Sequence, residues 1–301
     1  MDLFSSQLSQ SFLDNVISPL HEASAYEALW AEEGATFKKI SDKFKSSANL
    51  KPSDLVSDKD IEEYKEKLLE ILKRYNINNL GIRLRGTLDY PDKLTDEKDP
   101  LELFYFQGLW DLVYSPSVAV VGSRKVSEEG KKRTRKIVKH LVNDGFTIVS
   151  GLAEGVDTEA HTTALKLGGR TIGVIGTPLT EFYPRQNRGL QSYIRDNFLL
   201  ISQVPFIRYS KQLFKYNRYF FPERNKTMSA LTKATVIIEA SERSGTLTQA
   251  RAALNQGRKL FILNSCFENP NITWPAFYEK KGAIRVRDYE DIRSVLLGGS
   301  E

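Results

Sequence analysis

The sequence predicts an α/β fold built on a doubly wound, mostly parallel sheet, with a small all-helical domain ahead of it. Three observations carry that prediction. From residue 117 onward, short apolar runs recur without polar alternation, as strands covered on both faces require. Stretches of helical period separate them, and repeated strand-helix units of this length close into a parallel sheet. Upstream, the pattern is helical only, so the expected organisation is a helical domain over 1–82 and a main domain over 83–301.

Element by element, "SPLHEASAYEALWAEEG" offers Pro19, Leu20, Ala23, Ala25, Leu29 and Trp30 for a first helix, with Gly34 as its stop. In "SDKDIEEYKEKLLEILKRYN", Ser57 or Asp58 caps a second, and Ile61, Tyr64, Leu68, Ile71, Leu72 and Tyr75 form its apolar stripe. "SSANLKPSD" between them reads as a polar turn, and "TDEKDP" (95–100) as a charged surface loop. "SVAVV" (117–121) is the first strand. The helix after it, 128 to 143, has Ser127 as cap, Glu128 and Glu129 in its first turn, and Gly145 beyond its end. "FTIVS" (146–150) is followed by a helix through His161 and Leu165 that stops at Gly168-Gly169. "TIGVI" (171–175), "FLLIS" (198–202), "TVIIEA" (235–240) and "KLFIL" (259–263) are further strands, and the stretch from Trp274 to Leu297 reads as helix, strand and closing helix.

Composition excludes several classes. With 301 residues, 41% hydrophobic and 27% charged, the chain buries a large core and is not a disordered tail. No window supplies the apolar run of a membrane span, and "MDLFSSQLSQ" lacks the basic and apolar regions of a signal peptide, so a cytoplasmic protein is expected. Cys266 is the single cysteine and reads as a buried thiol; His21, His140 and His161 are scattered, so neither a metal nor a cofactor is expected. Charge is uneven: residues 1–100 hold 14 Lys/Arg against 19 Asp/Glu, and residues 101–301 hold 29 against 19. A polyanion would meet the second part.

In doubly wound sheets ligands sit beyond the carboxyl ends of the strands, and small residues gather there in this sequence: Gly122 and Ser123, Gly151 and Gly155, Gly176, and Ser244, Gly245 and Thr246. There is no G-x-G-x-x-G after the first strand and no P-loop motif, so neither a standard dinucleotide dehydrogenase nor a P-loop NTPase is supported. The rim does carry charge, with Arg124 and Lys125 on the first turn and Arg243 beside the Ser-Gly-Thr turn, which suits a phosphate. Residues 205–226, read as a long loop, interleave six Lys/Arg with seven aromatics, a composition fitted to single-stranded nucleic acid. About half of these rings, Phe220 and Phe221 above all, are expected in the core, while Lys215, Tyr216, Arg218 and Tyr219 are candidates for base stacking or DNA contact.

These stretches together resemble the DNA-processing protein A family, also called Smf, whose fold is an extended Rossmann-like sheet. The resemblance runs from "DYPDKL" (89–94) and "LFYFQG" (103–108) to about Leu263. It rests on "VAVVGSRKVSEEG", "IVSGLAEGVDTEAH", "GGRTIGVIGTPLTEFYPRQN", "FFPERNKTMSAL" and "EASERSGTLTQARAALNQGR", in that order. Pro178 and Thr180 stand where the family usually has Gly and Asp, and Gln203 where a Glu is usual. The resemblance implies a homodimer that binds single-stranded DNA and loads a RecA-type recombinase onto it in natural transformation. It implies a DNA pocket of Gly122, Ser123, Arg124, Ser150, Gly151, Arg224, Asn225, Lys226, Ser244, Gly245 and Thr246. It also leads to the expectation that this chain has no C-terminal winged helix, which many relatives carry.

An enzyme is the alternative, because phosphoribohydrolases that act on nucleoside monophosphates resemble this architecture and carry P-G-G-x-G-T-x-x-E. Here the stretch is "RSGTLTQ": Gln249 replaces the catalytic Glu and cannot exchange a proton, leaving Glu239 and Glu242 as the nearby carboxylates. The sequence therefore points to a phosphate held without cleavage, with a nucleotide-binding sensor or defence protein as the other reading.

Overall fold

A computed structural model describes residues 17–45, 50–87, 89–96 and 99–298. The N-terminal decapeptide, part of the polar turn after residue 45 and part of the 95–100 loop lie outside the described residues. The helices at the start are α1 (Pro19–Ala31), α2 (Phe37–Phe44) and α3 (Asp58–Arg74). Ser57 caps α3 as expected, its hydroxyl accepting from the Asp60 amide at 3.2 Å.

Among the described residues nine strands form one sheet: β1 (Gly81–Leu84), β2 (Leu103–Gly108), β3 (Ser117–Val121), β4 (Thr147–Ser150), β5 (Thr171–Ile175), β6 (Leu199–Ser202), β7 (Ala234–Ile237), β8 (Lys259–Leu263) and β9 (Ile284–Val286), in the order β1-β2-β6-β5-β4-β3-β7-β8-β9. The pairs from β6 through β9 are parallel, and β1 and β2 add on antiparallel beyond β6. The chain winds outward from β3 to β6, crosses back, and winds the other way from β7 to β9. The switch therefore lies between β3 and β7, which pair in register from Val118 opposite Ala234 to Val121 opposite Ile237.

Alternate residues of each inner strand enter different cores, which explains the lack of polar alternation. Val118 and Val120 face the cluster under α4 (Glu128–Asn143) and α5 (Val156–Lys166), whereas Ala119 and Val121 face the cluster under α9 (Phe220–Leu231) and α10 (Thr246–Asn255). A third cluster joins Tyr26, Leu29, Trp30, Phe44 and Leu68 of the first helices to Tyr105, Leu200, Phe206 and Phe220, so those helices share a core with the β2–β6 end of the sheet. The expected 82/83 boundary falls inside β1. Helix α6 (Arg188–Asn197) covers β5 and β6, and α11 (Asn264–Phe267), α12 (Trp274–Glu279) and α13 (Glu290–Leu297) complete the far side.

The span 205–226 is not a loop. It forms α7 (Phe206–Lys211), α8 (Phe214–Asn217) and the first turns of α9. Pro222 sits in the first turn of α9, where a missing amide costs little, and Phe220, Arg224, Thr227, Met228 and Leu231 form its buried stripe. The Arg in that stripe hid the helical period.

Candidate nucleic-acid interface

A groove of about 1120 Å³ lies at the switch point, beyond the carboxyl ends of β3 and β7. Its floor is three segments tied together by hydrogen bonds. The Ser123 amide donates to the Glu239 carbonyl at 2.7 Å, joining the turns after β3 and β7. The Thr246 hydroxyl donates to the Gly122 carbonyl at 3.3 Å, and the Asn225 side-chain amide donates to the Gly245 carbonyl at 3.1 Å, bringing in α10 and α9. The turn after β4 completes the rim. Gly155 has φ +78°, and a Cβ there would stand 2.2 Å from the Ser123 carbonyl oxygen, so only glycine lets the two turns close, with Val156 N donating to that oxygen at 3.1 Å.

The groove gathers Gly122, Ser123, Arg124, Lys125, Arg218, Arg224, Asn225, Ser244, Gly245 and Thr246 of the predicted residues. Sequence reasoning missed Arg133, which faces the groove from α4 with helical spacing to buried Gly130 and Ile137, the one signal that could have found it. Arg124, Lys125, Arg133 and Arg218 make no ion pair among the described residues; Arg124 stands over the Phe221 ring at 5.7 Å and Arg218 over Tyr219 at 5.4 Å. The lining carboxylates are all engaged. Glu239 accepts from the Ser127 amide at 3.2 Å and its hydroxyl at 2.6 Å, Glu268 accepts from Asn264 at 2.6 Å, and Asp157 accepts from the amides of Gly151 and Ala153 at 3.1 and 3.3 Å.

Below the groove Arg224 is 4% exposed, and one of its guanidinium nitrogens donates to the carbonyls of Gly151 and Val174 at 2.6 Å each. It ties the ends of β4 and β5 to α9. Burial draws its pKa down to about 10, opposed by the charge of Asp157, whose own carboxyl burial pushes up. His161, fully buried with Nδ1 2.7 Å from the Thr171 hydroxyl, is driven down to about 3 by burial. Cys266 is buried as expected, and burial pushes its thiol up to about 12. Among the described residues no three His, Cys, Asp or Glu side chains converge as a metal site would need.

Other predicted residues lie outside the groove lining. Ser150 is buried, its hydroxyl donating to the Val120 carbonyl at 2.7 Å, and Gly151 is buried against the Arg224 guanidinium. Lys226 pairs with Glu223 at 2.8 Å on the other side of α9, and Arg243 is exposed beyond the rim. Lys215, Tyr216 and Tyr219 are exposed on and beside α8. Of the seven rings, Phe206 and Phe220 are buried, Tyr209 and Phe221 half-buried, and Phe214, Tyr216 and Tyr219 exposed. Phe221 thus lines the groove and is not a core residue.

The family model for the DNA recombination-mediator protein A matches residues 82–296. The chain is 41% identical to the DNA processing protein DprA of Streptococcus pneumoniae over 58% of its length and 59% of that protein's. It is 37% identical to the Escherichia coli protein Smf over 70% of this chain and 55% of the other, and 30% identical to the DprA of Bacillus subtilis over 77% of each. The chain thus spans between half and three-fifths of two of these relatives. In three dimensions it is similar to the crystal structure of the S. pneumoniae protein, with TM-score 0.73 and 28% identity over 92% of this chain and 98% of that one. It is also similar to DNA processing protein A from Helicobacter pylori, a structure that concerns a single-stranded DNA binding mode, with TM-score 0.61 and 26% identity over 73% and 96%. Among the described residues no helix is long and apolar enough to cross a membrane.

Proposed function

Because this chain belongs to the DNA recombination-mediator protein A family, we propose that it is a single-stranded-DNA-binding protein that holds the strand's phosphates in the switch-point groove without cutting them. One observation carries the reading: four cations without ion-pair partners among the described residues, Arg124, Lys125, Arg133 and Arg218, line the groove where the Gly122–Ser123 and Ser244–Thr246 turns lie, and they outnumber its carboxylates, Asp157, Glu239 and Glu268, each of which accepts hydrogen bonds from neutral donors. Cations take phosphates, and the excess of free positive charge favours a polyanion.

Binding without cleavage is supported by the carboxylates a hydrolase would need. Gln249 is buried and its amide donates to the Thr235 hydroxyl at 3.2 Å. Both oxygens of Glu239 accept from Ser127, and Glu242 accepts from the Thr273 amide and hydroxyl at 2.8 and 2.7 Å, contacts that hold its carboxyl below the usual range. Release of free base from a nucleoside monophosphate, lost in Glu239→Gln, would overturn this part.

In the cell the protein is then a cytoplasmic homodimer that protects incoming single strands and hands them to a RecA-type recombinase. The test is anisotropy titration of labelled oligo-dT, as single strand and as duplex, at two salt concentrations. Salt-sensitive preference for the single strand is expected, followed by faster recombinase filament nucleation on strands carrying this protein. Equal affinity for duplex, or none for either, overturns the reading.

A further inference from the structure

A second cleft, of about 500 Å³, opens where α1 and α2 meet α8 and α9. One wall is fixed: Trp30 and Phe220 are 2% and 6% exposed, and Phe37 meets them edge-on with ring centroids 4.7 and 6.0 Å away. The other wall offers free rings, Tyr216 and Tyr219, 46% and 58% exposed and inclined by only 24° to one another at 6.4 Å. Rings of this exposure are the stacking surface that unpaired bases use. The volume lies within the range of ~300–1,000 Å³ typical of ligand sites.

The charge around the cleft favours an anion. Lys38 has no hydrogen bond or ion pair among the described residues. Among the described residues Arg208 donates only to neutral oxygens, the Gln212 side chain at 3.1 Å and the Glu32 carbonyl at 3.2 Å. Of the described carboxylates at the cleft, Glu223 pairs with Lys226 at 2.8 Å, and Asp99 lies 3.7 Å from Lys45, which also pairs with Asp42, so Lys38 and Arg208 are the cations left to a ligand. The cleft and the switch-point groove are linked by neighbouring side chains: Arg218 lines the groove and stands over the ring of Tyr219, which lines the cleft, at 5.4 Å.

We propose that this cleft is a second subsite for the same single strand, in which an unpaired base stacks on Tyr216 and Tyr219 beside the Trp30–Phe37–Phe220 wall while Lys38 and Arg208 meet its phosphate. The proposal rests on the single-stranded-DNA reading and assigns the N-terminal helices a share in binding. A free mononucleotide carries the same chemistry.

The experiment titrates dT oligomers of about 4 to about 16 nucleotides, each with a 5-iodouracil at its end, into wild-type protein, Tyr216→Ala and Lys38→Ala. Both changed side chains are exposed and lie outside the groove, and unchanged melting temperatures check the fold. Expected are a step in affinity at the length that reaches the cleft and photocrosslinks to Tyr216 or Tyr219. Tyr216→Ala should lower affinity about 5- to 150-fold for oligomers above the step and leave those below it unchanged, and Lys38→Ala should lower the salt slope by about one above the step alone. No step, equal losses at every length, or crosslinks confined to the groove overturn the subsite while the groove reading stands, provided Arg124→Ala weakens every length. Quenching of tryptophan fluorescence by dTMP that Tyr216→Ala abolishes, without oligomer crosslinks, assigns the cleft to a free nucleotide and overturns the strand subsite. Absence of any binding overturns both readings.

Discussion

Gly245 is the residue at which ligand contact separates from folding. Its φ is −59°, an ordinary value, and a Cβ placed on it meets nothing within 4 Å, so Gly245→Ala adds a methyl group to open groove. Stability should be unchanged or rise by a few tenths to about 1 kcal/mol, because alanine lowers the entropy of the unfolded chain. If the backbone of this turn approaches a phosphate, oligo-dT affinity should nonetheless fall several-fold; unchanged affinity in an anisotropy titration would place the phosphate away from Gly245. Arg124 makes the complementary case. Its side chain is exposed and without an ion pair among the described residues, so Arg124→Ala should leave the fold intact, weaken single strands of every sequence, and flatten the salt dependence by about one unit of slope. Unaltered affinity and slope would remove Arg124 from the interface.

At the scale of elements, β3 to β8 were legible because strands covered on both faces cannot carry polar alternation, and the glycines and caps around them marked where helices begin and end. The antiparallel β1 and β2 were not, since "GIRL" carries an Arg and "LFYFQG" has no turn signal fixing its partner, which is β6, far along the chain. The helices in 205–226 were hidden by their shortness and by Arg224 in the buried stripe. Much of the candidate site was legible because it is made of turns, whose small residues announce themselves; Arg133 was not, because its spacing to buried Gly130 and Ile137 marks a helix face without marking a groove, and the helix is rich in other Lys and Arg. The β4–α5 turn yields a prediction of its own. Gly155→Ala would need both a left-handed backbone and room where Ser123 and Arg124 carbonyl oxygens stand 2.2 and 2.6 Å away. A loss on the order of 1–3 kcal/mol is expected in urea denaturation, with DNA affinity falling because the two rim turns separate. Wild-type stability in this variant would show that the turn tolerates opening.

Across the whole molecule, the N-terminal helices are fastened to the sheet by a buried carboxylate that no periodicity could reveal. Glu27 of α1 is fully buried and accepts hydrogen bonds from the Tyr105 hydroxyl at 2.7 Å and from the amides of Phe206 and Ile207 at 2.8 and 2.9 Å, closing the N-terminal end of α7. Together with the shared apolar cluster, this makes one cooperative thermal transition the expectation for the whole chain. Burial outweighs these three bonds and pushes Glu27 up to about 7, from an ordinary value of 4.5. Between those values the folded protein binds more protons than the unfolded chain, so this group's contribution is fully present below about 4.5 and is lost as pH rises through about 7. His161 acts in the opposite sense. Its folded value of about 3 against an ordinary 6.5 makes the fold gain stability as pH rises through that window, so the two groups offset each other in the wild-type profile. The difference between wild type and Glu27→Gln isolates the carboxylate, because glutamine mimics its neutral form at every pH. Wild type should lose stability relative to Glu27→Gln by on the order of 3 kcal/mol as pH is raised from about 4.5 to above 7, read from paired urea curves. A difference that stays constant with pH would mean that Glu27 is ionised throughout and that its three donors, rather than a retained proton, hold the helices to the sheet.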